Sequence, residues 1–185
     1  MGPETSRREL LGPLAPLGLL VWAMAIMLVA VGLSGCSAVA PSQRCRARGS
    51  GLYSLPDPRC TPGAIDPAVT QRDIAETICR PGYTRTVRPP ESVTEPEKLA
   101  SMAAYGDTGP PGAYEYDHLI PLELGGAAND PRNLWPEPGA SPNPKDALED
   151  RLHALVCAGK VGLAAARRAI AANWVAAYRR WVRSR

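Results

Sequence analysis

The chain has 185 residues, 45% of them hydrophobic, and a net charge of +3. With an N-terminal leader set aside, about 150 residues remain, one domain's worth, which excludes a multidomain organisation; no domain-scale repeat suggests a solenoid. The charge is small but uneven: beyond Gly159, Lys160, Arg167, Arg168, Arg179, Arg180, Arg183 and Arg185 meet no acidic residue, which leaves Cys36 to Ala158 near −4, a basic tail beside an acidic body that suits contact with a polyanion.

The chain opens as a targeting segment, with Arg7 and Arg8 ahead of an uncharged, Leu/Val/Ala-rich run from Leu10 to Leu33. Leu33-Ser34-Gly35-Cys36 closes it and resembles a bacterial lipobox. That resemblance implies a signal peptide over 1–35, lipidation of Cys36, and a protein held on the extracytoplasmic face of the cell membrane. An uncleaved signal anchor and simple secretion are the competing readings. Export makes disulfides the natural state of Cys45, Cys60, Cys79 and Cys157, and no Cys-x-x-Cys spacing supports a zinc site. Four cysteines allow three connectivities, which sequence does not separate. The pairing taken joins Cys79 to Cys157, each near the end of a predicted helix, and Cys45 to Cys60.

Residues 36–65 are rich in Pro, Gly, Ser and Arg and read as a tether. Asp66-Pro67 predicts a helix start and Arg80-Pro81-Gly82 its stop, giving a helix to about Cys79. Tyr83 to Val87 reads as a short strand. Thr94-x-x-Glu97 is a capping box for the next helix, which stops at Gly106. Tyr114 to Leu124 has strand character before Gly125-Gly126, and Asn133-Leu134-Trp135 forms a second extended piece. A helix from Pro144 to about Ala158 carries Leu148, Leu152, Leu155 and Val156 at helical spacing. The last helix, about 163–182, places Ile170, Trp174 and Trp181 on one apolar stripe, where core packing is favoured over base stacking. The fold class is α+β, a mainly helical, disulfide-stapled single domain over 66–185.

Asp117-His118-Leu119-Ile120-Pro121, then Gly125-Gly126, then Asn133-Leu134, resembles the HNH or ββα-metal nuclease family over about thirty residues. Flanking residues, including Asn133-Leu134-Trp135-Pro136-Glu137 and Lys145-Asp146, look like an uncharacterised group of exported bacterial HNH-like proteins. The resemblance implies a finger over about 114–158 and a little-specific endonuclease cutting DNA or RNA, expected as a monomer. Hydrolysis of a phosphodiester needs a base, a cation and a group that orients the base. By resemblance His118 is the base, Asn133 orients it through an amide oxygen on the far ring nitrogen, and Asp117 is a metal ligand. The sequence departs from the family where a helical histidine should be the third ligand: the only histidines are His118 and His153. Asn143 and Asp146 stand near that place, and oxygen donors favour Mg²⁺ or Mn²⁺ over Zn²⁺. Arg132, Lys145, Arg167 and Arg168 are the candidate phosphate contacts.

Bland readings accompany these. Asn143 before Pro144, with Asp146 three residues on, is also a good helix cap. His153 is four residues from Glu149 and suits an ion pair with it. Asp57, Glu115 and Glu123 read as solvated. A different class of function, a non-catalytic cell-envelope binding lipoprotein on a nuclease-like scaffold, is the alternative.

Overall fold

The computed structural model describes residues 45–184. The expected signal peptide over 1–35 and the lipidation expected at Cys36 fall outside the described residues. A one-turn helix α1 (Tyr83–Val87) and a longer helix α2 (Glu91–Tyr105) come first, followed by an antiparallel hairpin of β1 (Tyr114–His118) and β2 (Leu134–Pro138) and two further helices, α3 (Pro144–Cys157) and α4 (Leu163–Tyr178). The α+β class is therefore observed. In the hairpin, Asp117 faces Trp135 and His118 faces Leu134. α3 and α4 bury Leu148, Leu152, Val156, Leu163, Ile170 and Trp174 together with Leu119, Ile120 and Leu124 from the segment after β1. Among the described residues no helix is long and apolar enough to cross a membrane.

Several predicted elements differ. Residues 66–82 form successive turns, not a helix. Asp66 Oδ1 accepts from the Ala68 N–H, and Thr70 bonds the Asp73 carboxylate, so side chains take up local polar groups that a helix would have used. Tyr83–Val87 is the helix α1 rather than a strand. Helix α2 begins at Glu91, ahead of the expected capping box, and no side chain caps it; the stop at Gly106 holds, with φ of +75°. Strand β1 ends at His118, and Leu122–Leu124 is a single 3₁₀ turn. Helix α4 breaks at Asn173, whose backbone is extended and whose Oδ1 caps the next turn through the Ala176 N–H at 2.9 Å. A π-helical turn over Arg179–Arg183 follows, so the predicted 163–182 is not one continuous helix. The break places Trp174 in the core, where its indole N–H donates to the Ser54 carbonyl at 2.9 Å.

The tether reading fails from Cys45 onward. Cys45 is disulfide-bonded to Cys60 and its N–H donates to the Ala104 carbonyl; Arg48 and Leu55 pair across an isolated bridge. Asp57, expected in solvent, is only 3% exposed. Its carboxylate accepts from the N–H groups of Arg46 and Arg59 and from the Arg59 guanidinium, at 2.8–2.9 Å for the shortest contact of each. The hydrogen-bonded guanidinium holds its carboxyl well below the usual range. A depressed carboxyl contributes stability above the ordinary carboxylate pKa and loses it as pH falls through the folded value. Asp57→Asn is therefore expected to lower the urea midpoint at neutral pH, with the gap to wild type closing below about pH 3. A gap that stays constant with pH would remove the ion pair from the account.

Candidate functional site

The segment joining β1 to β2 is folded back by one side chain. Asn133 is fully buried; its Oδ1 accepts the Ile120 N–H at 2.9 Å, and its Nδ2 donates to the carbonyls of Ile120 (2.9 Å) and Ala127 (3.1 Å). Its amide therefore acts as a strand neighbour to the Ile120 peptide, matching donor to acceptor and acceptor to donor. The glycines make this possible. A Cβ on Gly126 would lie 1.8 Å from the Ile120 oxygen and 2.8 Å from Asn133 Nδ2. Asn133 thus hydrogen-bonds the Ile120 and Ala127 backbone rather than the His118 ring expected of it, and it shapes the loop that meets that ring.

That loop supplies the contact in its place. His118, 7% exposed, bonds through Nε2 to the Ala128 carbonyl at 2.9 Å. A carbonyl only accepts, so the proton sits on Nε2 and Nδ1 keeps its lone pair. Burial pushes the imidazole below its ordinary value, so the ring is neutral at pH 7. His118 lines a cavity of about 240 Å³ with Glu115, Asp117, Glu123, Asp146, Glu149, Asp150 and Arg88. Asp117 and His118 both reach this cavity although they are consecutive on β1, because His118 is the strand's last residue and the chain turns after it.

Behind the cavity lies a buried charge cluster. Lys145, 1% exposed, donates from Nζ to Asp117 Oδ2 at 2.6 Å, to the His118 carbonyl at 2.8 Å and to Glu149 Oε1. Burial opposes its charge, but the carboxylates of Asp117 and Glu149 outweigh that and raise its pKa. Glu137, 2% exposed, is pushed up by burial and by the Asp117 charge, and as a neutral acid it hydrogen-bonds Asp117. Asp117 stays ionised because Lys145 offsets the cost of its burial.

This geometry revises several assignments. Lys145 is an interior cation, not a phosphate contact. Arg167 is also internal: Nε donates to the Leu124 carbonyl at 2.7 Å and NH2 to the Val69 carbonyl at 3.0 Å. Arg132 is exposed and paired with Asp130, and Arg168 is exposed. Asn143 and Asp146 form a reciprocal capping box on α3, Asn143 Oδ1 accepting from the Lys145 N–H at 2.7 Å and Asp146 Oδ2 accepting from the Asn143 N–H at 2.7 Å. The Asn143 oxygen is thus spent on the helix, while Asp146 still lines the cavity. His153 bonds the Ile78 carbonyl at 2.8 Å rather than Glu149.

Glu115 and Glu123, expected in solvent, are half-buried in the cavity wall. Glu115 is pushed up to about 7 by burial and by the charges of Asp117 and Asp146, and its Oε2 is buried without a hydrogen-bond partner. An orphaned carboxylate oxygen facing two more carboxylates is the environment that a hard divalent cation relieves. Apart from His118 Nδ1 the donors offered are carboxylate oxygens, a set that favours Mg²⁺ or Mn²⁺ over Zn²⁺. A second cluster, Cys79, His153 and Cys157, brings its ligand atoms within 4.8 Å of one another. Its two sulfurs are joined in a disulfide and present no thiolate.

Sequence reasoning missed Glu115, Glu137, Glu149 and Arg88. The first had a readable signal, since Glu115 and Asp117 are two apart on one strand and share a face. Comparison with protein-family models, with curated proteins and with solved structures finds no match.

Proposed function

We propose that the chain is a metal-dependent, HNH-like phosphodiesterase acting on nucleic acid, with the acidic cavity as its active site. The observation that carries this is the neutral His118, fixed through Nε2 on the Ala128 carbonyl with a lone pair left at Nδ1, beside the carboxylates of Glu115, Asp117 and Asp146. Nδ1 takes a proton from water as the new oxygen–phosphorus bond forms and the bond to the leaving sugar oxygen breaks. Glu115, Asp117 and Asp146 would hold one Mg²⁺ or Mn²⁺, which supplies charge neutralisation on the phosphoryl oxygens. Lys145 keeps Asp117 ionised and in place. Arg88, exposed at the cavity edge, offers a guanidinium to a phosphate, with Arg168 and the C-terminal arginines as outer contacts.

Export and lipidation at Cys36 belong to the same proposal, supported by two disulfides that suit an oxidising compartment. Metabolic palmitate labelling of the wild type, lost in Cys36→Ser, tests the anchor. The catalytic reading is tested by supercoiled plasmid with Mg²⁺ or Mn²⁺. His118→Ala is expected to lower the cleavage rate at least about 100-fold in protein that circular dichroism shows still folded at the assay temperature, and undiminished cleavage would exclude the role given to His118. One observation favours a second reading, a binding module that has lost catalysis: the Lys145 ammonium already neutralises Asp117. That reading requires the melting temperature to be the same in EDTA and in Mn²⁺.

A further inference from the structure

A second cavity lies between α2 and the hairpin. It measures about 370 Å³ and is walled by Ala104 and Tyr105 of α2, Tyr116 of β1, Pro131 and Leu134, a size within the range of about 300 to 1,000 Å³ usual for small-ligand sites. Tyr116 also lines the acidic cavity, so the two sites share a wall. Among the described residues, the only charged side chain in the apolar lining is Glu97. Asn129 Nδ2 donates to its Oε1 at 3.1 Å, while its Oε2 is buried with no hydrogen-bond partner. The hydroxyl of Tyr105 is already bonded to Thr61 and to the Asp57 N–H.

The cavity therefore presents apolar and aromatic walls with one unmet acceptor oxygen. Buried acceptors are normally paired, and a donor on a ligand entering the cavity would complete the Glu97 carboxylate. A nucleic acid cut at the adjacent site carries four flat groups of suitable character, and their edges differ in how they meet a carboxylate. Guanine presents two neighbouring donors, N1–H and the 2-amino group, which Glu97 accepts side by side, one on the open Oε2 and the other on the second lone pair of Oε1 beside the Asn129 amide. Adenine sets the acceptor N1 beside its amino group, cytosine does the same with N3, and uracil or thymine flanks its single N–H with two carbonyls. Each of those three places a lone pair against the Glu97 charge. Discrimination by a site that hydrogen-bonds a specific edge is large, because the wrong edge leaves buried polar groups unpaired. Stacking on an aromatic ring is how unpaired bases are commonly held.

We propose that this cavity is a guanine-binding pocket, with Glu97 reading the base edge and Tyr116 and Pro131 flanking the ring, so that cleavage favours unpaired segments containing guanine. The inference rests on the nucleic-acid reading of the acidic site. Calorimetric titration of the full chain with GMP, AMP, CMP and UMP tests it directly. GMP is expected to bind roughly tenfold to a hundredfold more tightly than the others. Glu97→Gln, which replaces an acceptor oxygen by a donor, removes that preference, and His118→Ala keeps it. Ala100→Phe, on an exposed helix position lining the mouth, gives an independent block of GMP binding should Glu97→Gln destabilise the fold. Equal binding of the four nucleotides, no GMP binding, or unchanged GMP binding in both variants overturns the proposal. Cleavage of single-stranded oligonucleotides separates the two readings. Cutting without guanine preference and without GMP binding removes the pocket and keeps the nuclease; GMP binding without any cutting removes the nuclease and keeps the pocket.

Discussion

Lys145→Met is expected to lower the unfolding free energy by about 3–5 kcal/mol, the cost of leaving buried charge without its partner. The methionine keeps most of the side-chain volume, so the loss is electrostatic rather than a cavity. Lys145 touches solvent over only 1% of its surface, and it is the cation on which Asp117 and Glu149 both close. With the ammonium gone, Asp117 keeps one partner, the neutral Glu137, and must either take a proton or draw water inward. Either response moves the end of β1, because Nζ also holds the His118 carbonyl. Plasmid cleavage should therefore fall together with stability. Combining Lys145→Met with Asp117→Asn and Glu149→Gln should restore much of the stability, since replacing a whole buried ion cluster is far cheaper than breaking it. Cleavage should stay lost in the combined variant if Asp117 serves the site. Urea unfolding at neutral pH measures the first effect, and a loss below about 1 kcal/mol, the range of exposed pairs, would show that water already reaches the cluster.

This cluster also shows where the sequence stopped being informative. The start of α3 was readable because capping is local: Asn143, Pro144 and Asp146 carry the signal within four positions, and the reciprocal cap is present. The stop of α2 at Gly106 was readable for the same reason. Lys145 looked like a phosphate contact because a sequence displays charge but not burial. Its main partner, Asp117, is 28 positions away and comes close only when α3 closes on the end of the hairpin. Arg167 misled in the same way, its guanidinium being used up by carbonyls more than 40 positions away. Asn133 was expected on the histidine ring, whereas its amide bonds the Ile120 and Ala127 backbone and the ring is met by the Ala128 carbonyl. The turns over 66–82 looked helical by their end signals, and tertiary anchoring overrode them. Val69 and Ile78 are buried in the core there, and Cys79 is tied to α3.

That tie carries the second large effect. Replacing Cys79 and Cys157 by alanine is expected to cost about 4 kcal/mol, against about 3 kcal/mol for Cys45 and Cys60, because closing a longer loop removes more entropy from the unfolded chain. The loops span 78 and 15 residues. The consequences should differ in place as well as size. The longer crosslink fastens the 66–82 turns to the last residue of α3, beside the His153 contact to the Ile78 carbonyl. Its loss should raise amide exchange across 66–82 while the capped start of α3, which carries the acidic cavity, stays protected. The shorter crosslink lines the apolar cavity, so its loss should weaken GMP binding, which loss of the longer one should leave in place. Urea unfolding and hydrogen exchange on the two double variants separate these expectations. Equal losses from both would place the stabilisation in native contacts around the sulfurs rather than in loop closure, and exchange that rises evenly along the chain would show that the turns and α3 unfold as one unit.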